Sequence, residues 1–95
     1  MIAEIETIKE LIAETNPKAY QALKASGELD GILEEYEQMI REYQLTAAME
    51  ARKSLESHDP LKIEKTMMQA KREAGETVLA EIREEIERIY QVTTD

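Results

Sequence analysis

The stretch His58-Asp59-Pro60 separates two long segments that both carry apolar residues at helical spacing. Asp59 is a good N-cap residue, and Pro60 suits the first helical position, where no backbone N–H is needed. A new helix is therefore predicted to begin at Pro60. The segments on the two sides of this stretch are predicted to form the arms of an antiparallel helical hairpin.

The first arm is predicted to be a helix over about residues 29–57, and the second a helix over about residues 60–90. The apolar stripe of the second arm includes residues that recur every seven positions, namely Leu61, Met68, Gly75, Ile82 and Ile89. If the turn centres near His58 and Asp59, facing residues have numbers that sum to about 117. Apolar positions then face one another along both arms, and Gly75 is predicted to make room for the ring of Tyr43.

Two shorter helices are predicted before the hairpin, over about residues 2–15 and 17–26. Isoleucines spaced three or four residues apart give the first of these helices its apolar face. Asn16 can cap the second helix with Pro17 at its first position. Gly27 can end that helix in the left-handed conformation, and Asp30 is a candidate N-cap for the third helix. The tail from Gln91 to Asp95 is predicted to fray.

The composition indicates one all-α domain over residues 1–95. Apolar residues make up 42% of the chain and charged residues 35%, which is typical of a globular protein. Four tyrosines are the only aromatic residues, so the core must consist mainly of Ile, Leu, Met and Ala. Three glycines and two prolines are too few to punctuate a sheet of many strands.

The formal net charge of −9 disfavours direct binding to nucleic acids and to anionic membranes. No apolar run approaches the ~20 residues that span a bilayer, and the N-terminus lacks the pattern of a signal peptide. Cysteine is absent, which excludes disulfides and thiol chemistry. We expect a cytoplasmic protein.

The hairpin alone leaves its apolar stripes only partly covered, above all near the turn. A homodimer is therefore expected, with a four-helix core built from two hairpins. The residues predicted to form this interface are Tyr36, Tyr43, Met49, Leu55, Leu61, Met68 and Gly75.

No catalytic, cofactor-binding or metal-binding residue is predicted. His58 is the only histidine, and its place in the turn favours an exposed residue over a ligand. Glutamates on the two arms could face one another around a metal ion, but the Glu-x-x-His pattern of di-iron bundles is missing. Ser26, Ser54 and Ser57 have no base–orienter pattern around them, and no Gly-rich phosphate-binding loop follows a strand.

Two stretches, residues 19–29 and 74–82, carry a family resemblance. The first reads Ala-Tyr-Gln-Ala-Leu-Lys-Ala-Ser-Gly-Glu-Leu, with Leu33 beyond it, and is similar to the Tyr-x-x-Leu-x-x-Ser-Gly-x-Leu pattern of transposon-encoded TnpV proteins. The second resembles their C-terminal helix. The two stretches cover about a fifth of the chain, and the span between them is shorter than in that family. The resemblance implies a small accessory protein of a mobile element and transfers no functional residue.

Three functions remain open from the sequence. The leading hypothesis is a non-enzymatic protein-interaction module from a mobile element or phage, with a possible partner that has a basic surface. The second is an acidic inhibitor or nucleic-acid mimic, which requires one continuous stripe of acids. The third is a carboxylate metal site in a helical bundle, which requires buried glutamates that face one another.

Overall fold

The computed structural model describes residues 2–91, and all regular secondary structure in this range is α-helical. Helix α1 spans Ala3–Thr15, α2 spans Pro17–Ser26, α3 spans Glu28–Ser54 and α4 spans Pro60–Ile89. The predicted all-α class, with two short helices before a long hairpin, is confirmed. Most of the tail predicted to fray lies outside the described residues.

The hairpin consists of α3 and α4, which are antiparallel and joined by residues 55–59. The Asp59 carboxylate caps α4 by accepting from the Leu61 N–H at 3.1 Å. Helix α3 ends at Ser54 instead of near residue 57, because Leu55 adopts an extended conformation (φ −86°, ψ 123°). Ser57 then accepts a hydrogen bond from the Asp59 N–H at 3.1 Å, so it belongs to the turn rather than to the helix.

The first three helices follow one another with almost no intervening loop. Asn16 caps α2 by accepting from the Ala19 N–H at 3.0 Å, as its position before Pro17 predicts. Gly27 has φ +82°, a left-handed conformation that a residue with a side chain adopts only at a cost. Helix α3 begins directly after it, so the expectation that Asp30 is its N-cap is wrong, and Asp30 lies in the first turn.

The hydrophobic core lies at the open end of the hairpin, where α1 packs against both arms. No polar or charged residue within residues 2–91 is buried. The most completely buried large side chains are Ile5, Ile8, Ile12, Ile40, Val78, Ile82 and Ile86. This end of the molecule therefore has two layers of helices.

The end near the turn has only one layer. The Cα atoms of the described residues extend over 58 × 26 × 14 Å, with a radius of gyration of 16.7 Å. A compact chain of this length would have a radius of gyration of about 12 Å. We call residues 45–72 the tip, and among the described residues its large apolar side chains Leu45, Met49, Leu61 and Met68 are exposed. No helix in the described range is long and apolar enough to cross a membrane.

Candidate interaction surfaces

An apolar stripe on α4, whose residues recur every seven positions, is covered in the middle and exposed at both ends. We call it the stripe of sevens, and it consists of Leu61, Met68, Gly75, Ile82 and Ile89. Ile82 is 1% exposed, and Gly75 is buried with the Glu4 carboxylate of α1 beside it. Beyond the N-terminus of α1, the same stripe continues as Met68 and Leu61, which are 54% and 69% exposed. Helix α1 therefore covers this face of α4 only as far as Gly75 and leaves the tip uncovered.

Of the seven predicted interface residues, two are buried within the chain itself and are therefore not available to a partner. Tyr36 is 7% exposed because it packs in the core at the open end, and Gly75 is buried against Gln44. Leu55 is half-buried in the turn. The other four are exposed and stay predicted interface residues: Tyr43, Met49, Leu61 and Met68.

Gly75 accommodates Gln44 rather than the ring of Tyr43. A Cβ atom placed on Gly75 would lie 2.7 Å from the Gln44 Nε2 atom, well inside a normal contact. This amide group donates a hydrogen bond of 3.1 Å to the Lys71 carbonyl, one turn before Gly75 on α4. The predicted register is close, since the partner of Gly75 is the next residue along α3, but the explanation of the glycine was wrong.

A groove of about 680 Å³, open to solvent, runs between α3 and α4. Its apolar lining consists of Met39, Tyr43, Ala47, Ala70 and Ala74. Its polar lining consists of Glu42, Thr46, Glu50, Glu73 and Thr77. We call this surface the acidic groove, because its charged residues are all glutamates.

The acidic groove lies on the side of the hairpin opposite to α1. Glu73 and Thr77 stand two residues before and two residues after Gly75 on α4. Each residue turns a helix by about 100°, so both side chains point away from the direction of Gly75. Since Glu4 of α1 packs beside Gly75, the groove and α1 occupy different faces of the hairpin.

Charge is distributed unevenly along the molecule. The tip holds six bases and four acids, which gives it a net charge of +2. The rest of the chain holds six bases and seventeen acids, a net charge of −11. The long axis therefore runs from a weakly positive tip to a strongly negative open end.

Comparison with known protein families, curated proteins and solved structures gives no match for this chain. The geometry and charge of these surfaces therefore provide the basis for a proposed function.

The groups that carry chemistry are dispersed over the surface. His58 is exposed in the turn between α3 and α4. Among residues 2–91, no three His, Asp or Glu side chains come together in a way that could hold a metal ion. The clearest change in acidity concerns a tyrosine, since burial and the nearby Glu85 carboxylate raise the pKa of Tyr36 to about 12. This residue lies in the core, so its raised pKa bears on stability and not on a reaction.

Proposed function

We propose that this chain is a non-enzymatic helical interaction module that pairs with a second copy of itself. The observation that carries the proposal is the stripe of sevens on α4, which α1 covers at Gly75 and Ile82 and leaves bare at Met68 and Leu61. A continuous apolar stripe of this kind is normally covered along its length by another helix. A second hairpin laid on the tip completes a four-helix bundle there.

The length of the exposed part of α4 favours a second copy of the chain as the partner. The bare part of α4, from Pro60 to just before Gly75, is about 21 Å long at 1.5 Å per residue. The matching segment of a second chain has the same length, so two tips related by a twofold axis cover each other completely. The turn of each copy then lies near the N-terminus of the other copy's α1.

The charge distribution favours the same arrangement. Two overlapping tips bring together segments of net charge +2, whereas the open ends of net charge −11 remain far apart. A side-by-side arrangement in parallel would instead place the two acidic ends together. Repulsion between like charges therefore disfavours parallel pairing and favours the tip-to-tip dimer.

The twofold arrangement predicts a register. Leu61 of one copy lies opposite Met68 of the second copy, and the axis then passes between Glu64 and Lys65. Glu64 of each chain consequently faces Lys65 of the other. Each of these residues lines a shallow groove beside Met68, and neither forms an ion pair within residues 2–91. The dimer supplies both with partners of opposite charge.

The two alternatives find less support. The metal-binding alternative requires buried glutamates, and the core of the described range contains none. The mimic requires one stripe of acids, but Glu28 and Asp30 differ by about 160° around α3. Both side chains are exposed on different sides of the helix, which fits a solvated surface better than a phosphate-like row.

We further propose that the module acts in the cytoplasm as an accessory protein of a mobile element or phage. The resemblance of residues 19–29 to the TnpV pattern supports this origin, and the lack of cysteine is consistent with the location. Inspection of the neighbouring genes tests the origin. A transposase or phage operon beside the gene supports it, and an unrelated metabolic operon in several genomes speaks against it.

The dimer is tested by size-exclusion chromatography with light scattering and by sedimentation. We expect the wild-type chain to be dimeric at about 100 µM, and Leu61→Glu with Met68→Glu to make it monomeric because four carboxylates would enter the interface. Circular dichroism checks that the variant remains helical. Ile89→Glu is the matched control, since Ile89 is on the same stripe and 56% exposed but lies at the open end.

A wild-type chain that is monomeric and fully folded at about 100 µM would refute the dimer. Dissociation by Ile89→Glu as complete as that by the two tip substitutions would also refute it, because the interface would then lie at the open end.

A further inference from the structure

We propose that the acidic groove binds an amphipathic helix, with basic residues along both sides of its apolar stripe, contributed by a different protein. This inference rests on the proposed role as an interaction module, but it concerns the face that the tip-to-tip dimer leaves free. The groove and the stripe of sevens lie on different sides of α4, so both can be occupied in one assembly.

The shape of the groove suits a helix. Its lining on α3 extends from Met39 to Glu50, which is about 16 Å or three helical turns. Between the two walls lie Ala47, Ala70 and Ala74, whose small side chains allow another helix to approach closely. A short apolar stripe at positions i, i+3 or i+4, and i+7 of the partner matches this length.

The apolar walls of the groove can pack against partner side chains of different shapes. Met39 and Tyr43 are each 43% exposed along the groove, one turn apart on α3. Methionine is flexible and polarisable, and it packs well against side chains of different shapes. Tyrosine supplies a large contact surface at low cost in side-chain entropy.

The charges of the groove select the class of partner. Glu42 and Glu50 stand on the α3 side and Glu73 on the α4 side, and no lysine or arginine lines the groove. A partner helix with Lys or Arg on both flanks would place positive charge beside each wall. A second copy in the same groove would bring three more glutamates to it, so like charges disfavour self-association at this face.

The test uses a labelled synthetic peptide of about sixteen residues, long enough for four helical turns. It carries leucine and alanine at the apolar positions and arginine on both flanks. A second peptide has the same apolar positions with glutamate on the flanks. Fluorescence anisotropy measures binding of each peptide to the full-length chain at physiological salt, where diffuse attraction to an acidic protein is screened.

Three variants locate the binding site. Thr46→Arg places a long cationic side chain in the groove at an exposed lining position. A triple variant replaces the lining acids by glutamine at Glu42, Glu50 and Glu73. A charge-matched control makes the same change at three exposed positions of α4 outside the groove, Glu81, Glu84 and Glu87.

We expect the arginine peptide to bind and the glutamate peptide to bind at least tenfold more weakly. Thr46→Arg and the groove triple variant should each lower the affinity for the arginine peptide about tenfold, while the charge-matched control should change this affinity less than threefold. The variant with Leu61→Glu and Met68→Glu should bind the peptide as the wild type does. That result would show that peptide binding does not depend on the dimer interface. Each of the two proposals can therefore be refuted without refuting the other.

Equal weakening by the groove variant and the charge-matched control would overturn the proposal, because it would show attraction to the acidic protein as a whole. Binding of both peptides with similar affinity would overturn the charge argument. Monomerisation of the chain by Thr46→Arg would show that a second copy occupies the groove instead.

Discussion

Gly75 offers the sharpest test of how the two arms of the hairpin fit together. Its missing side chain leaves space for the Gln44 amide, which donates to the Lys71 carbonyl at 3.1 Å. In Gly75→Ala, the new Cβ atom would lie 2.7 Å from Gln44 Nε2, so the amide must move and this hydrogen bond is lost. The Glu4 carboxylate, at 3.6 Å, stays in ordinary contact.

Two effects of similar size therefore oppose each other in Gly75→Ala. Alanine in place of glycine inside a helix stabilises by about 1 kcal/mol. Loss of the Gln44 hydrogen bond costs about 0.5–1.5 kcal/mol, with the lower half of the range favoured because the bond is exposed. We expect the free energy of unfolding to change by less than about 0.5 kcal/mol, whereas the same substitution in a Gln44→Ala background should stabilise by about 1 kcal/mol.

The assay is urea unfolding followed by circular dichroism for the four chains of this double-mutant cycle, all at one protein concentration because the proposed dimerisation would contribute to stability. A coupling free energy of about 0.5–1 kcal/mol is expected. Gly31→Ala is the control, since a Cβ atom at this helical position meets nothing within 4 Å. It should stabilise equally in both backgrounds. Stabilisation by Gly75→Ala that is equally large with and without Gln44 would refute the proposed fit.

Two further predictions concern the dimer and the core. Lys65→Glu should weaken the affinity of the proposed dimer roughly 3- to 10-fold, because it replaces two attractive contacts with two repulsive ones, and adding Glu64→Lys should restore this affinity. Sedimentation of the single and double variants measures the dimer affinity. A double variant that dimerises no more tightly than the single variant would exclude the register. Burial holds the pKa of Tyr36 at about 12, above its ordinary value of 10.0, so its contribution to stability is present below pH 10 and is lost as the pH rises through 12. Tyr36→Phe should remove this part of the alkaline loss, about 1–3 kcal/mol, in urea titrations between pH 8 and pH 12, and an unchanged alkaline profile would contradict the assignment.

The features that the sequence predicts correctly are local ones. Asp59 and Asn16 each cap a helix through a bond that spans two or three residues, and Gly27 adopts the left-handed conformation at a helix end. Such interactions depend on residues adjacent in the chain, so a single sequence contains the information needed to place them. The hairpin follows from the same signals together with the apolar stripes, because two long helices joined by a short turn bury these stripes when they fold back on each other.

The features that the sequence misses depend on how the arms rotate about their own axes. Whether Tyr43 or Gln44 faces Gly75 is a difference of one residue, or about 100° around α3. The burial of Tyr36 was missed for a related reason, since this residue packs in the core at the open end, where α1 joins the two arms. Helical spacing identifies a stripe of apolar residues but does not indicate how far along it another helix of the same chain extends.

The bare end of the stripe follows from one property of the fold, which is that α1 is shorter than the hairpin it covers. Thirteen residues of α1 extend about 20 Å, whereas the thirty residues of α4 extend about 45 Å. Helix α1 covers one face of α4 over part of its length, so the rest of that face and the opposite side of the hairpin remain available. A longer α1 would cover Met68 and Leu61 within the monomer and remove the reason for a dimer, yet it would leave the acidic groove unchanged. The two surfaces are therefore independent in structure.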